Sequence, residues 1–363
     1  MDQEMNALGM LDLMVRPGFC VKDGKIIKCN PGAESLLFSP GMDISPLLAT
    51  GQTEYAEYSG GTLYLTLEIS GARWGASVTR MGDVDVFLLE EESDRSELQA
   101  MALAARELRG PLSGIMTTAD RLFPMEALED DPRLREQAAR LNRGLYQMLR
   151  IIGNMSDAEG YATGRNTQME TLEIRGFFED IIRKNLALME HTGLTLRFEN
   201  LSQNLYTLAD KEKLERAVLN ILSNAMKFTP SGGTIDVRLT HRGRQLYLTV
   251  QDSGEGIPEN IRGSVHRRYL RQPGYETGRF GIGLGMVLIR SAAAVHGGTV
   301  LIDHPEGAGT RITMTIGIRQ DTSGNVRSPR LDNPLLKYDY TGERDHSLVE
   351  LSEILSHTFY ENL

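Results

Sequence analysis

Two heptad seams set the architecture of this chain more firmly than any other feature. Leu98, Met101, Ala105, Leu108, Leu112, Ile115, Ala119 and Leu122 alternate spacings of three and four. Leu134, Ala138, Leu141, Leu145, Met148, Ile152 and Met155 do the same after Pro132. A seam of this kind predicts a helix with one apolar stripe. The segment FPMEALEDDP lies between the two, with two prolines and an acidic run, and reads as a turn. Two such helices joined by a short connection form an antiparallel hairpin over 94–162. One hairpin leaves apolar surface open, so pairing with a second copy into a dimeric four-helix bundle is the physical expectation.

Residues 1–93 read differently. FCVKDGKIIKCN is two extended runs around Asp23-Gly24, a hairpin signal. Asn30-Pro31 then opens NPGAESLLF, a capped short helix. LYLTLEI, RWGASVTR and DVDVFLLEE follow as strands, the last two joined through Gly82-Asp83. Cys20 and Cys29 lack metal-site spacing and read as small buried hydrophobes on neighbouring strands. Residues 163–319 read as a mixed α/β unit. Its longest helix is DKEKLERAVLNILSNAMKF with Asp210 as N-cap, and a second, GMVLIRSAAAVHGG, ends at Gly297. Residues 320–363 read as a linker, SGNVRSPRLDNP, and one amphipathic helix, SLVELSEILSHTFY. The formal charge of −10 argues against general nucleic-acid binding, which needs a basic face. No apolar run approaches the ~18 residues of a membrane span, and no signal peptide is visible, so a cytoplasmic protein is expected.

The chemistry concentrates in the third unit. Asn220, Asn224 and Lys227 fall at i, i+4 and i+7 and share one helix face. An amide oxygen can ligate Mg²⁺ while the ion keeps waters and phosphate oxygens. Lysine is a point charge suited to phosphate. Asp252 follows the strand LYLTVQD and precedes Gly254 and Gly256; a carboxylate there can accept an adenine amino proton. Gly281, Gly283 and Gly285 open the helix from Met286, offering free N–H groups to phosphates. Gly307, Gly309 and Thr310 close the far side.

In this order and spacing the set resembles the ATP-binding domain shared by histidine kinases, gyrase and MutL. LNILSNAMKFTP resembles its N box, DSGEGIP its first glycine box and GIGLGM its second, with AVHGG and GAGT also in place. The preceding hairpin makes the resemblance specific to the sensor histidine kinase branch, over roughly 94–318. Residues 1–93 resemble a PAS sensor domain. The resemblance implies an α+β multidomain protein: a PAS-like α/β sensor domain, an antiparallel helical hairpin forming a dimeric four-helix bundle, and an α/β-sandwich ATP-binding domain. It implies ATP and Mg²⁺ as cofactors, with Asn224 as metal ligand, Lys227 on phosphate and Asp252 on adenine. Asn220, Phe228, Gly254, Gly256, Gly281, Gly283, Leu284, Gly285 and Thr310 would complete the nucleotide site. Asn220 stands where the ATPase branches carry a water-activating glutamate, and an amide cannot be that base. VHRRYLR resembles the kinase F box, with His266 and Arg267 in place of its phenylalanine and glutamate.

The family's first hairpin helix carries a phosphoacceptor histidine. Here RELRGPL puts Arg106 in that position, followed by Glu107, with Gly110 in the place of a hydroxyl or amide residue. A guanidinium stays protonated and has no lone pair to attack phosphorus. None of the seven histidines lies in 94–160. The expected function is therefore an ATP-Mg²⁺-binding member of two-component signalling, homodimeric, with a response regulator or a partner histidine kinase. Autophosphorylation is in doubt at Arg106. The alternative is a non-catalytic pseudokinase scaffold that regulates or heterodimerises with a competent kinase.

Overall fold

The computed structural model describes residues 2–90, 93–163, 167–202, 205–256, 284–305, 309–319 and 345–361. Strands β1 (Gly18–Lys22), β2 (Lys25–Cys29), β3 (Thr62–Ile69), β4 (Ala72–Met81) and β5 (Val84–Leu89) pair antiparallel in the order β2-β1-β5-β4-β3. Asp23 and Gly24 both adopt positive φ, 52° and 75°, the primed turn that matches strand twist. Asn30 Oδ1 accepts from the Ala33 and Gly18 amides at 3.0 Å, capping helix α2 (Pro31–Ser35) and tying it to β1. Helix α3 (Gln52–Ala56) also covers this face, where Phe19 packs on Phe38 and Phe87 with ring centroids 4.6 and 5.0 Å apart. Helix α1 (Asp2–Asp12) covers the other face, over Cys20, Val86 and Leu88. Both cysteines are buried and free, and burial pushes the Cys20 thiol up to about 11.

The seams become helices α4 (Ser93–Leu122) and α6 (Pro132–Thr163), packed along each other. The intervening turn contains a further short helix, α5 (Met125–Asp130). Alternate seam positions divide between two environments. Leu98, Ala105, Leu112 and Ala119 are buried, as are Ala138, Leu145 and Ile152. Leu108, Ile115 and Leu122 are 48, 50 and 67% exposed, and Leu141 and Met148 of α6 are exposed as well.

Beyond the hairpin, strands β7 (Thr195–Asn200), β9 (Thr234–Arg242), β10 (Gln245–Asp252), β11 (Val300–Asp303) and β12 (Arg311–Gly317) form a mixed sheet. β6 (Glu170–Glu173) and β8 (Tyr206–Ala209) pair separately. Helices α7 (Ile174–Met189), α8 (Lys211–Phe228) and Gly285–Val295 pack their apolar faces on this sheet. The two sheets are one. β3 pairs antiparallel with β11 through Tyr64↔Val300, Leu63↔Leu301 and Thr62↔Ile302, giving ten continuous strands. Arg290 reinforces this joint: it ion-pairs Glu90 and lies 4.5 Å over the Tyr64 ring.

The C-terminal segment differs from the expected single helix. It makes a five-residue helix, His346–Glu350, and a 3-10 turn, His357–Tyr360. Leu348, Val349, Leu351, Leu355 and Tyr360 enter the core shared by α6, α7 and α8. Burying each such side chain contributes roughly 1.5–3 kcal/mol, which anchors the segment despite its short helix. Among the described residues no helix is long and apolar enough to cross a membrane.

Candidate functional site

α8 starts where Asp210 caps it. Asp210 Oδ1 accepts from the Lys213 amide at 3.0 Å and Oδ2 from the Gln168 amide at 2.8 Å. The Asp210 amide donates to His296 Nε2 at 2.9 Å, so that nitrogen is an acceptor and Nδ1 donates to the Ala292 carbonyl at 2.7 Å. Burial lowers the His296 pKa and keeps the ring neutral. The AVHGG segment thus locks the helix Gly285–Val295 to the start of α8.

Two turns along α8, Asn220 is 1% exposed. Its Nδ2 donates to the Arg216 carbonyl at 2.9 Å and lies 3.5 Å from Glu350 Oε2. Its Oδ1 is buried with no hydrogen-bond partner among the described residues. That oxygen faces Gly285, where an added Cβ would come within 2.8 Å of it. A buried acceptor without a donor is costly, and the missing side chain at 285 leaves room for a donor or cation from elsewhere. Asn224 is half-buried on the next turn. Lys227 is mostly buried, and its Nζ lies 2.8 Å from Glu353 Oε2. Phe228 ends the helix and is 44% exposed.

The far end of α8 meets the end of β10. A Cβ at Gly254 would come within 2.3 Å of the Phe228 carbonyl oxygen, so only glycine permits this approach. Asp252 is buried; its Oδ1 accepts from the Gly254 amide at 2.9 Å and the Thr310 amide at 3.1 Å. Those bonds orient the carboxylate and leave Oδ2 available. Burial raises the Asp252 pKa, and the Thr310 and Gly254 amides oppose that rise. Gly309 lies against the same carboxylate, and Gly256 has φ 73° beside it.

Two clusters therefore sit along one helix. Asn220 meets Leu284–Gly285 at one point, and Phe228 meets Asp252, Gly254 and Thr310 about 12 Å further on at 1.5 Å per residue. Gly281, Gly283, Gly307, His266 and Arg267 lie outside the described residues. Arg106 and Glu107 are exposed on α4, just past buried Ala105, and make no hydrogen bond or ion pair among the described residues. Nearer its start, α4 does reach the site's border: Leu98 and Met101 pack on Leu284 and Val287.

The structure also brings in residues that sequence reasoning missed. Arg150 of α6 is buried, with Nε 3.1 Å from Glu350 Oε2, Nη1 2.8 Å from Glu353 Oε2 and Nη2 3.2 Å from Ser223 Oγ. Arg216 is fully buried; it pairs with Asp157, donates to Asn154 Oδ1 at 2.7 Å and lies 3.7 Å from Glu350 Oε1. The paired glutamates in LVELSEIL were the available signal, but nothing in the sequence ties them to α8.

Residues 209–320 match the family of histidine kinase-, DNA gyrase B-, and HSP90-like ATPases. The chain is similar to hybrid signal transduction histidine kinase D of Dictyostelium discoideum, 28% identical over 275 residues, covering 73% of this chain and 17% of that protein. It is 31% identical over 243 residues to histidine protein kinase DivJ of Caulobacter vibrioides, covering 63% of this chain and 40% of that one. A structure of full-length ShkA in complex with AMPPNP aligns with TM-score 0.46 and 21% identity, over 61% of this chain and 46% of that one. The chain spans less than half the length of these relatives.

Proposed function

We propose that this chain, which belongs to the sensor histidine kinase family, binds ATP with Mg²⁺ along α8 and serves two-component signalling without taking phosphate on its own hairpin. The observation that carries the nucleotide reading is the buried Asn220 Oδ1, without a hydrogen-bond partner among the described residues and aimed at the space beside Gly285. A metal-phosphate group supplies the cation that such an oxygen lacks. Asn220 and Asn224 offer neutral oxygens to Mg²⁺, Lys227 offers charge to phosphate, and Asp252 Oδ2 accepts the adenine amino proton. Bound Mg²⁺-ATP supplies a polarised γ-phosphoryl group. The protein's part is positioning and charge complementarity. Asn220 cannot take a proton from water, which disfavours rapid hydrolysis.

Arg106 decides between two uses of that site. Its exposed guanidinium replaces the nucleophile, so phosphotransfer onto this chain is blocked. A scaffold that signals through nucleotide-dependent shape, or that heterodimerises with a competent kinase, keeps every group α8 presents. A response regulator or a partner kinase is the proposed recipient of the signal, in the cytoplasm.

The proposed units are a PAS-like domain at 1–93, a dimerisation hairpin at 94–162, an ATP-binding domain at 163–319, and a tail at 320–363. The β2-β1-β5-β4-β3 order, with α2 and α3 on one face and α1 on the other, supports the PAS-like reading. The aromatic cluster filling that face favours a docking role over ligand binding. Exposed Leu108, Ile115, Leu122, Leu141 and Met148 support a homodimeric four-helix bundle. Ile115→Glu is expected to convert the dimer to monomer at micromolar concentration, read by light scattering; a monomeric unmodified chain would count against the bundle.

Titration with Mg²⁺-AMPPNP tests the site itself. Asp252→Ala is expected to weaken binding by about tenfold to a hundredfold, since a charged hydrogen bond contributes roughly 1.5–3 kcal/mol. Adenine binds the ionised carboxylate. Because burial raises the Asp252 pKa, affinity falls on acidification from a higher pH than an ordinary aspartate would give. Unaltered affinity in Asp252→Ala removes the adenine assignment.

A further inference from the structure

The C-terminal segment 345–361 places two carboxylates against the helix that carries the nucleotide-binding groups, and they do different work. Glu350 is fully buried between Arg150 and Arg216. Glu353 lies at the rim, 24% exposed, with Oε2 2.8 Å from both Lys227 Nζ and Arg150 Nη1. Its backbone is fixed as well: Arg143 donates to the Ser352 and Glu353 carbonyls at 3.0 and 2.9 Å, and Gln147 to Ser352 at 3.1 Å. Burial pushes the Glu353 pKa up, but Arg150 and Lys227 outweigh it and hold the carboxyl below its ordinary value.

We propose that Glu353 is an internal competitor of the nucleotide's phosphates for Lys227, so that the C-terminal segment sets how tightly the site takes ATP. The inference rests on the nucleotide reading above, because it assigns Lys227 to phosphate. Three features carry it. A carboxylate and a phosphate oxygen present the same charge and acceptor chemistry to an ammonium group. Lys227 stands at the border of two faces of α8: Asn220 and Asn224 lie to one side, and Ser223, which meets the tail, lies to the other. Exchange also leaves no charge stranded. When Lys227 turns to phosphate, Glu353 keeps Arg150; when phosphate leaves, Glu353 neutralises Lys227 beside the cationic Arg150. An unpaired charge in a mostly buried place is what such a swap must avoid.

The segment is also built to stay attached while this happens. Glu350, Tyr360 and the buried leucines hold it in the core independently of Glu353. The gate is thus the loosening of the short stretch that carries Glu353, and not the release of the whole tail.

The full chain is titrated with Mg²⁺-AMPPNP and, separately, with adenosine, alongside Glu353→Gln. The variant keeps shape and removes charge. It is expected to bind AMPPNP about three- to fivefold more tightly, the scale of a partly exposed ion pair, and adenosine with unchanged affinity. A purely structural role for Glu353 predicts equal shifts for both ligands, or a loss. Hydrogen exchange in the unmodified chain gives a second readout that needs no variant: amides of 351–355 are expected to exchange faster when AMPPNP saturates the site. AMPPNP binding that is equal or weaker in Glu353→Gln, or exchange that AMPPNP leaves unchanged, overturns the inference and leaves the nucleotide site standing. Failure of both proteins to bind AMPPNP overturns the nucleotide reading and this inference with it.

Discussion

With γ-labelled ATP the unmodified chain is expected to acquire no acid-labile, alkali-stable label on its hairpin, and the Arg106→His variant is expected to acquire it. Arg106 follows the buried Ala105 on α4 and is exposed, so its head group is where a solvent-facing nucleophile would stand. A guanidinium has five donors and no lone pair to offer phosphorus. If 106 is the acceptor position proposed above, a chain without a nucleophile there has no covalent route, and not merely a slow one. Histidine at 106 restores an imidazole nitrogen, next to Glu107 as a carboxylate able to orient it. The expected change is from background to a clear signal. Adding Lys227→Ala to the variant is expected to suppress the label again by loss of phosphate charge. Label on the hairpin of the unmodified chain would show that phosphate is accepted by a route Arg106 does not control.

Local order was legible because it is written in local chemistry. Asp23-Gly24 favours a primed turn and makes one. Asn30 before Pro31 favours a capped helix start, and the α8 N-cap at Asp210 follows the same rule. The alternation of the heptad seams predicted two helices, and the division of their residues into buried and exposed sets shows which half each hairpin satisfies alone. Within α8, a spacing of four and three was enough to place Asn220, Asn224 and Lys227 along one side, since 3.6 residues per turn fixes that. What stayed hidden is long-range. The joining of β3 to β11 depends on which sheet edge meets which, and period-two alternation is the same for a paired edge and a free one. The tail read as one amphipathic helix because LVELSEIL has that periodicity. In the fold its apolar residues are satisfied by α6, α7 and α8 after a single helical turn, and its glutamates by arginines some 130 to 200 residues away. Charge pairing across such separations leaves no spacing to read.

The same network sets the second large expectation, which concerns stability. Glu350→Ala is expected to destabilise the chain by about 3 kcal/mol, near the lower end of the 3–5 kcal/mol typical when one partner of a buried ion pair is removed. The size of the loss depends on what remains. Glu350 is fully buried, and its two oxygens face Arg150 at 3.1 Å and Arg216 at 3.7 Å. Without it Arg150 still has Glu353 and Ser223, and Arg216 still has Asp157 and Asn154. Neither guanidinium is stranded completely, so the upper end of the range is not reached. The contrast with Glu353→Gln is the decisive comparison. A rim pair that is partly exposed contributes at most about 1 kcal/mol, so the two tail carboxylates should separate by more than twofold in stability. Urea unfolding followed by circular dichroism measures both. A Glu350→Ala variant within about 1 kcal/mol of the unmodified chain would mean that the buried charges are stabilised elsewhere. Replacing Arg150 and Glu350 together by Met and Leu is expected to recover much of the loss, because apolar residues of similar volume carry no desolvation cost. That recovery would show that the pair adds little net stability over apolar residues of similar volume, and that the cost in Glu350→Ala is the cost of buried guanidinium charge left short of a partner.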